Sequence, residues 1–96
     1  MRIRILSPAQ DEISRIIKFY DEKTAGLGHE FLDDLDNTWE ALLEHPEVGA
    51  RHSKNIRRVL LGRFPFVVLY SLEPDEIVVH AIAHQRQRPD YWKKRG

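Results

Sequence analysis

Residues 64–84, FPFVVLYSLEPDEIVVHAIAH, give the strongest indication of the fold in this 96-residue chain. Two apolar runs rich in β-branched residues flank the turn sequence EPDE, in which Pro74 suits the second position of a turn. Unbroken apolar character indicates strands that are covered on both faces. We therefore predict that residues 64–72 and 77–84 form two antiparallel strands at the centre of a sheet.

The residues before this hairpin predict two more strands and two helices. Residues 2–6 alternate as a strand does, and residues 56–61 form a strand that ends at the turn Gly62-Arg63. Apolar residues recur at helical spacing in two segments, one with Ile13, Ile16, Ile17 and Tyr20, and one with Phe31, Leu35, Trp39 and Leu42. The first helix ends at Gly26, and the second runs from near Gly28 to just before Pro46.

The order of these elements defines the expected fold class. Strand, helix, helix and three strands predict a single α+β domain over residues 1–96, in which a helical hairpin packs on one face of a mostly antiparallel four-stranded sheet. Residues 46–55 are polar and without period, which predicts a loop. The outer edge of residues 2–6 or of residues 56–61 is expected to be open to strand addition.

Composition limits the chemistry that this domain supports. The chain has no cysteine, which excludes disulfides and a thiol nucleophile. Residues 1–7 lack the apolar core of a signal peptide, and no apolar run reaches the roughly 20 residues of a membrane span. We therefore expect a soluble, cytoplasmic protein without a membrane partner.

The net charge is zero but unevenly distributed. Residues 1–45 hold 5 basic and 10 acidic residues, whereas residues 46–96 hold 10 basic and 5 acidic residues. This asymmetry indicates either an anionic partner for the second half or an acidic helical layer that neutralises a basic sheet.

Neither the histidines nor the carboxylates have the spacing of a metal or hydrolytic site. On one face of a strand, His80 and His84 would lie about 13 Å apart, too far for one ion to bridge. The acidic side chains of the second helix lie opposite its apolar stripe and are expected to be solvated. They are Glu30, Asp33, Asp34 and Asp36. No metal or other cofactor is expected.

Basic and aromatic side chains carry the remaining chemical signal. The cations are Lys54, Arg57, Arg58, Arg63, Arg86, Arg88, Lys93, Lys94 and Arg95. Guanidinium groups bind phosphates bidentately, and Tyr91 and Trp92 can stack on a base. Histidine is a common general acid or base, so His84 is a candidate for that role. The alternative is a solvated basic rim, with His84 bonded locally and the aromatic residues anchoring the tail.

Three segments of the chain resemble the RelE/ParE family of toxins from bacterial type II toxin–antitoxin systems. They are Arg57-Arg58-Val59, FPFVVLY at residues 64–70, and AIAHQRQRPDYW at residues 81–92. The resemblance covers nearly the whole chain and implies the same sheet-on-hairpin fold. It also implies a cognate antitoxin that wraps the toxin, forming a toxin–antitoxin hetero-oligomer.

The resemblance implies one of two activities. In the ribosome-dependent mRNA endonuclease branch, the catalytic positions would correspond here to Arg58 (or Arg57), Arg86 and Tyr91. In the branch that inhibits DNA gyrase there is no established catalytic set, and Arg57, His84, Arg88 and Trp92 are our candidates for target binding. Val67 stands where the endonuclease branch carries an arginine, which favours gyrase inhibition. A non-toxic binding module is the third hypothesis.

Overall fold

Two helices cover one face of a five-stranded sheet in the computed structural model. It describes residues 1–88 and 90–94, the last of these without its side chain; Pro89 and Arg95 of the predicted basic tail lie outside the described residues. The elements are β1 (Arg2–Ile5), α1 (Ser7–Lys23), α2 (Leu27–Glu44), β2 (Ala50–Ser53), β3 (Ile56–Leu60), β4 (Phe66–Leu72), β5 (Glu76–His84) and a 3-10 turn (Tyr91–Lys94), called here the C-terminal turn.

The two predicted central strands are confirmed. The strand order is β1-β5-β4-β3-β2, so β4 and β5 each have a neighbour on both sides. Neighbouring strands are antiparallel except β1 and β5, which are parallel. Nearly all residues of β4 and β5 are buried, as their continuous apolar sequences require. The α+β class is therefore confirmed.

The predicted strand count was one too low, because residues 46–55 contain β2 as well as a loop. Ala50 pairs with Arg58 and Arg51 with Arg57 at the edge of the sheet. The sequence ARHS lacks apolar alternation, and β2 forms because its backbone bonds to β3 rather than because it buries side chains. The expectation of an open edge at residues 56–61 is wrong, because β2 pairs there with β3, whereas β1 remains an outer strand.

The main core lies between the helices and the sheet. Four aromatic rings, Tyr20, Phe31, Phe64 and Phe66, pack with centroids 4.9 to 6.3 Å apart, mostly edge to face. This geometry is the one that aromatic quadrupoles favour. The two helices approach closely at Gly28, where a Cβ atom would lie 2.8 Å from the Ile17 carbonyl oxygen.

Asp34 is an exception to the prediction of a solvated acidic helix face. Its side chain is buried, and its carboxylate accepts three backbone N–H bonds, from Gly62, Arg63 and Phe64, at 2.9 to 3.1 Å. The prediction was wrong for this residue because the β3–β4 turn folds back onto α2 and brings unpaired N–H groups to it. Glu30, Asp33 and Asp36 are exposed, as expected.

The sheet face opposite the helices, called here the open face, carries a smaller apolar cluster. Ile56, Leu69 and Ala81 are buried there against Tyr91 and Trp92 of the C-terminal turn. A β-bulge shapes this region, because Leu69 pairs with Ala81 whereas Tyr70 pairs with Val79. The C-terminal turn therefore occupies part of the face that the helices leave uncovered.

The bulge residue is His80, and it corrects the expectation that His80 and His84 share one face. His80 lies on the open face with its ring 5.6 Å from that of Trp92. The ring of His84 lies 5.4 Å from that of Phe66, a residue of the helix-side core. An extra residue changes the alternation of a strand, so the two histidines point to opposite sides.

Candidate functional site: a cationic cavity on the open face

A cavity of about 180 Å³ lies on the open face, between the C-terminal end of β5 and the middle of β3. Its lining combines arginines, histidines, glutamines and an apolar floor. The residues are His52, Arg58, Val67, Leu69, Ala83, His84, Gln85, Gln87 and Arg88. We call this site the open-face cavity.

Strand alternation decides which of the adjacent arginines reaches the cavity. Arg58 pairs with Leu69, whose side chain belongs to the open-face cluster, and it lines the cavity. Arg57 pairs with Tyr70, which belongs to the helix-side core. Its guanidinium donates to the carbonyl oxygens of Glu47 and Gly49 at 3.0 and 2.9 Å. Arg57 therefore holds the α2–β2 loop and does not line the cavity.

The two arginines of the cavity have no carboxylate partner among the described residues. Within the described part of the chain, the guanidinium groups of Arg58 and Arg88 have no hydrogen-bond or ion-pair partner, and no carboxylate lines the cavity. A carboxylate oxygen of Asp90 lies 3.7 Å from His52 Nε2 and 3.3 Å from Lys93 Nζ. Guanidinium groups bind oxyanions in bidentate fashion. The cavity is therefore suited to an anionic group attached to an apolar body.

Local hydrogen bonds shape the chain as it leaves β5. The His84 backbone N–H donates to the side-chain oxygen of Gln87 at 3.1 Å, and the Arg86 backbone N–H donates to His84 Nδ1 at 3.1 Å. Because Nδ1 accepts, a neutral His84 carries its proton on Nε2. The Arg86 side chain is exposed and is not part of the cavity lining.

Tyr91 is committed to a different contact. Its hydroxyl donates to the carboxylate of Glu12, a residue of α1 that is 8% exposed. The other Glu12 oxygen accepts the backbone N–H of Ile82 in β5 at 2.9 Å. Sequence reasoning assigned no site role to Glu12, although its spacing of three and four residues from Ala9 and Ile16 places it on the buried stripe of α1.

A second polar group on the open face centres on the bulge. Ser71 Oγ lies 2.9 Å from His80 Nε2 and donates to a carboxylate oxygen of Glu73 at 3.2 Å. Burial lowers the pKa of His80, an effect opposed by the negative charge of Glu73 and assisted by the positive charge of Arg4. With the Trp92 ring beside it, His80 anchors the C-terminal turn.

The structure brings together three of the residues that the sequence nominated, namely Arg58, His84 and Arg88. Arg57, Arg86, Tyr91 and Trp92 lie elsewhere, in the contacts described above. Sequence reasoning missed His52, because it lies in the strand β2 that was taken as loop. In the described residues, no three His, Asp or Glu side chains are grouped so that they would hold a metal ion, and neither helix is long and apolar enough to cross a membrane.

A helical hairpin on a sheet with a cationic open face agrees with the class of small bacterial toxins that the sequence resembles. The family model described as ParE toxin of type II toxin-antitoxin system, parDE, matches residues 3–89, and the chain belongs to this family.

Two known proteins are similar over most of their length. Toxin RelE3 of Caulobacter vibrioides is 24% identical over 82 residues, which cover 83% of this chain and 89% of the relative. A solved structure titled "Chromosomal ParDE TA system from P. aeruginosa" contains a chain with 18% identity and a TM-score of 0.76, covering 88% of this chain and 95% of that one. The structural match supports the fold.

Proposed function

We propose that this toxin inhibits DNA gyrase by binding it through the open-face cavity, and that a cognate antitoxin neutralises it. This proposal rests on the composition of the cavity. A nuclease that activates a 2′-hydroxyl needs charge stabilisation and proton transfer at one phosphate. Here the floor is apolar, with Val67 where the endonuclease branch carries an arginine, and the Tyr91 hydroxyl is bonded to Glu12.

The same cavity has the features of a protein-binding site. Arginine is enriched at the points that dominate binding energy, particularly beside desolvated apolar surface. Arg58 and Arg88 border such a surface, made by Val67, Leu69 and Ala83. An acidic, partly apolar segment of the target would occupy it. Gyrase as the target also implies that the toxin acts in the cytoplasm.

Supercoiling of relaxed plasmid by purified gyrase tests this proposal. Wild-type protein is expected to block supercoiling, and Arg58→Ala is expected to require about tenfold more protein for the same block. Arg15→Ala is the matched control, because Arg15 is an exposed arginine on α1, away from the cavity. Unimpaired supercoiling at micromolar excess of wild-type protein would refute gyrase as the target. Equal inhibition of gyrase by Arg58→Ala and Arg15→Ala would refute the cavity as the binding site.

The second candidate function is ribosome-dependent mRNA cleavage. The observation that favours it is the convergence of two arginines and a histidine, Arg58, Arg88 and His52, on one cavity. Guanidinium groups would bind the phosphate and an imidazole would transfer the proton. Primer extension on translated mRNA tests it, with new cuts expected that disappear in Arg58→Ala and Arg88→Ala. An unchanged cleavage pattern in these variants would contradict the assignment.

The proposed antitoxin is an acidic chain that covers the basic half of the toxin. Of the two outer strands, β1 has a regular register with β5, whereas β2 has an irregular one with β3. Regular, unpaired strand edges accept an added strand most readily. A small acidic reading frame adjacent to this gene would support the pairing. Normal growth on overexpression without that partner would instead favour a non-toxic binding module.

A further inference from the structure

β1 pairs with only the first half of β5, and side chains rather than a strand cover the same edge of its second half. β1 and the residue after it cover this edge as far as Val79, whose carbonyl accepts the Leu6 N–H. Farther along β5, the Ile82 N–H is bonded to Glu12 and the His84 N–H to Gln87. Buried backbone donors require partners, so Glu12 takes the place of a strand neighbour.

Glu12 also joins the two faces of the molecule. It belongs to α1 on the helix side, whereas its second carboxylate oxygen accepts the hydroxyl of Tyr91, whose ring packs in the open-face cluster. The Tyr91 hydroxyl also lies 3.5 Å from the Ile82 carbonyl. Tyr91 thus crosses the uncovered edge of β5, and the C-terminal turn is tied to the helical hairpin through it.

We propose that Glu12 is a positioning residue that sets the C-terminal rim of the open-face cavity through Tyr91. Tyr91 lies three residues beyond Arg88, which lines the cavity, and adjoins Asp90, whose carboxylate lies beside the cavity residue His52. Trp92 lies against His80. Fixing Tyr91 therefore restricts the positions of Arg88 and Asp90, although Glu12 itself does not line the cavity.

The two carboxylate oxygens of Glu12 have different hydrogen-bond partners. One oxygen accepts the Ile82 N–H of β5 and the other accepts the Tyr91 hydroxyl. Substitutions can therefore remove the two contacts separately. Tyr91→Phe removes the hydroxyl, and with it the second contact, and leaves the ring in the apolar cluster. Glu12→Leu removes both contacts. A charged, hydrogen-bonded contact of this kind is among the stronger single polar interactions.

Hydrogen exchange measured by mass spectrometry tests the inference directly. In Tyr91→Phe we expect amides of residues 90–94 to exchange about tenfold faster or more, with the exchange of α1, α2 and β4 unchanged. In Glu12→Leu the Ile82 amide is also expected to lose protection. Glu22→Gln, an exposed carboxylate of the same helix, is the control and is expected to exchange as wild type does. Unaltered exchange of residues 90–94 in both Tyr91→Phe and Glu12→Leu would overturn the inference.

The effect on the target rests on the proposed function and is measured separately. If wild-type protein inhibits gyrase, Tyr91→Phe is expected to inhibit it about tenfold more weakly. Glu12→Gln keeps an oxygen acceptor for the Ile82 N–H and offers an amide N–H that the Tyr91 hydroxyl oxygen can accept, so it is expected to retain most of the activity. Faster exchange with full inhibition in Tyr91→Phe would overturn the positioning role. Absence of inhibition by wild-type protein would refute gyrase as the target, while the exchange result still decides the contact with Glu12.

Discussion

The carboxylate of Asp34 is expected to be the largest single polar contribution to the stability of this fold. One oxygen accepts the Gly62 N–H at 3.1 Å, and the other accepts the N–H groups of Arg63 and Phe64 at 2.9 and 3.0 Å. These three bonds hold the β3–β4 turn against α2. Asp34→Ala removes all of them.

The loss of stability depends on whether each of the three N–H groups finds a new partner after the substitution. Gly62 and Arg63 are exposed, so water can replace the carboxylate at their N–H groups, whereas Phe64 is buried and its N–H loses its partner. A hydrogen bond to a charged group contributes about 1.5–3 kcal/mol, and an unsatisfied buried donor costs about 1–3 kcal/mol. We therefore expect Asp34→Ala to lower the free energy of unfolding by about 3 kcal/mol.

Asp34→Asn is the sharper variant. Its amide keeps one oxygen acceptor, which can serve either Gly62 or the pair Arg63 and Phe64, while its NH₂ group faces the remaining donor. We expect a loss of about 2 kcal/mol, between the wild-type and alanine values.

Urea denaturation followed by circular dichroism measures both losses. For an m-value of about 2 kcal/mol/M, the midpoint should fall by about 1.5 M in Asp34→Ala and by about 1 M in Asp34→Asn. Asp36→Asn, an exposed carboxylate on the same helix, is the control and should stay within about 0.5 kcal/mol of wild type. Equal midpoints for Asp34→Ala and Asp36→Asn would show that the three bonds to Asp34 do not stabilise the fold.

Two further predictions concern the loop before β2 and the bulge in β5. Gly49→Ala should lower the free energy of unfolding by about 2 kcal/mol, because the added Cβ would lie 2.5 Å from the Tyr70 hydroxyl oxygen. That hydroxyl accepts the Gly49 N–H and donates to the Pro46 carbonyl, so the clash would disturb both bonds. An unchanged melting temperature would contradict this prediction. Burial lowers the pKa of His80 in the folded state, so the unfolded chain binds more protons below its ordinary pKa of about 6.5. Stability should therefore fall as the pH decreases from about 6.5 towards the lower folded value, and His80→Gln should flatten that dependence; an identical pH slope in the variant would count against this assignment.

Local sequence patterns were sufficient for the parts of this fold that bury apolar side chains. The unbroken apolar runs in β4 and β5 indicate central strands because only residues covered on both faces are apolar throughout. The helical spacing of Ile13 to Tyr20 and of Phe31 to Leu42 likewise indicates the hairpin that covers the sheet. The segments that resemble the toxin family lie on these same strands and on the tail that follows them.

Polar residues were less predictable, because their roles depend on neighbours that are distant in sequence. β2 has no apolar pattern, and it forms only because the edge of β3 offers backbone partners. Asp34 has the sequence context of a solvated helix residue, yet a turn 28 to 30 residues away supplies its three donors.

The same division holds for the candidate site. The order of residues along the chain shows that basic and aromatic residues follow the last strand. The folded chain was needed to show that Arg58 and Arg88 share a cavity, that Arg57 turns to the opposite face, and that the Tyr91 hydroxyl is bonded to Glu12, 79 residues earlier in the chain. The physical reason is that burial of apolar residues is set by local periodicity, whereas each polar partner is set by strand order, register and the bulge.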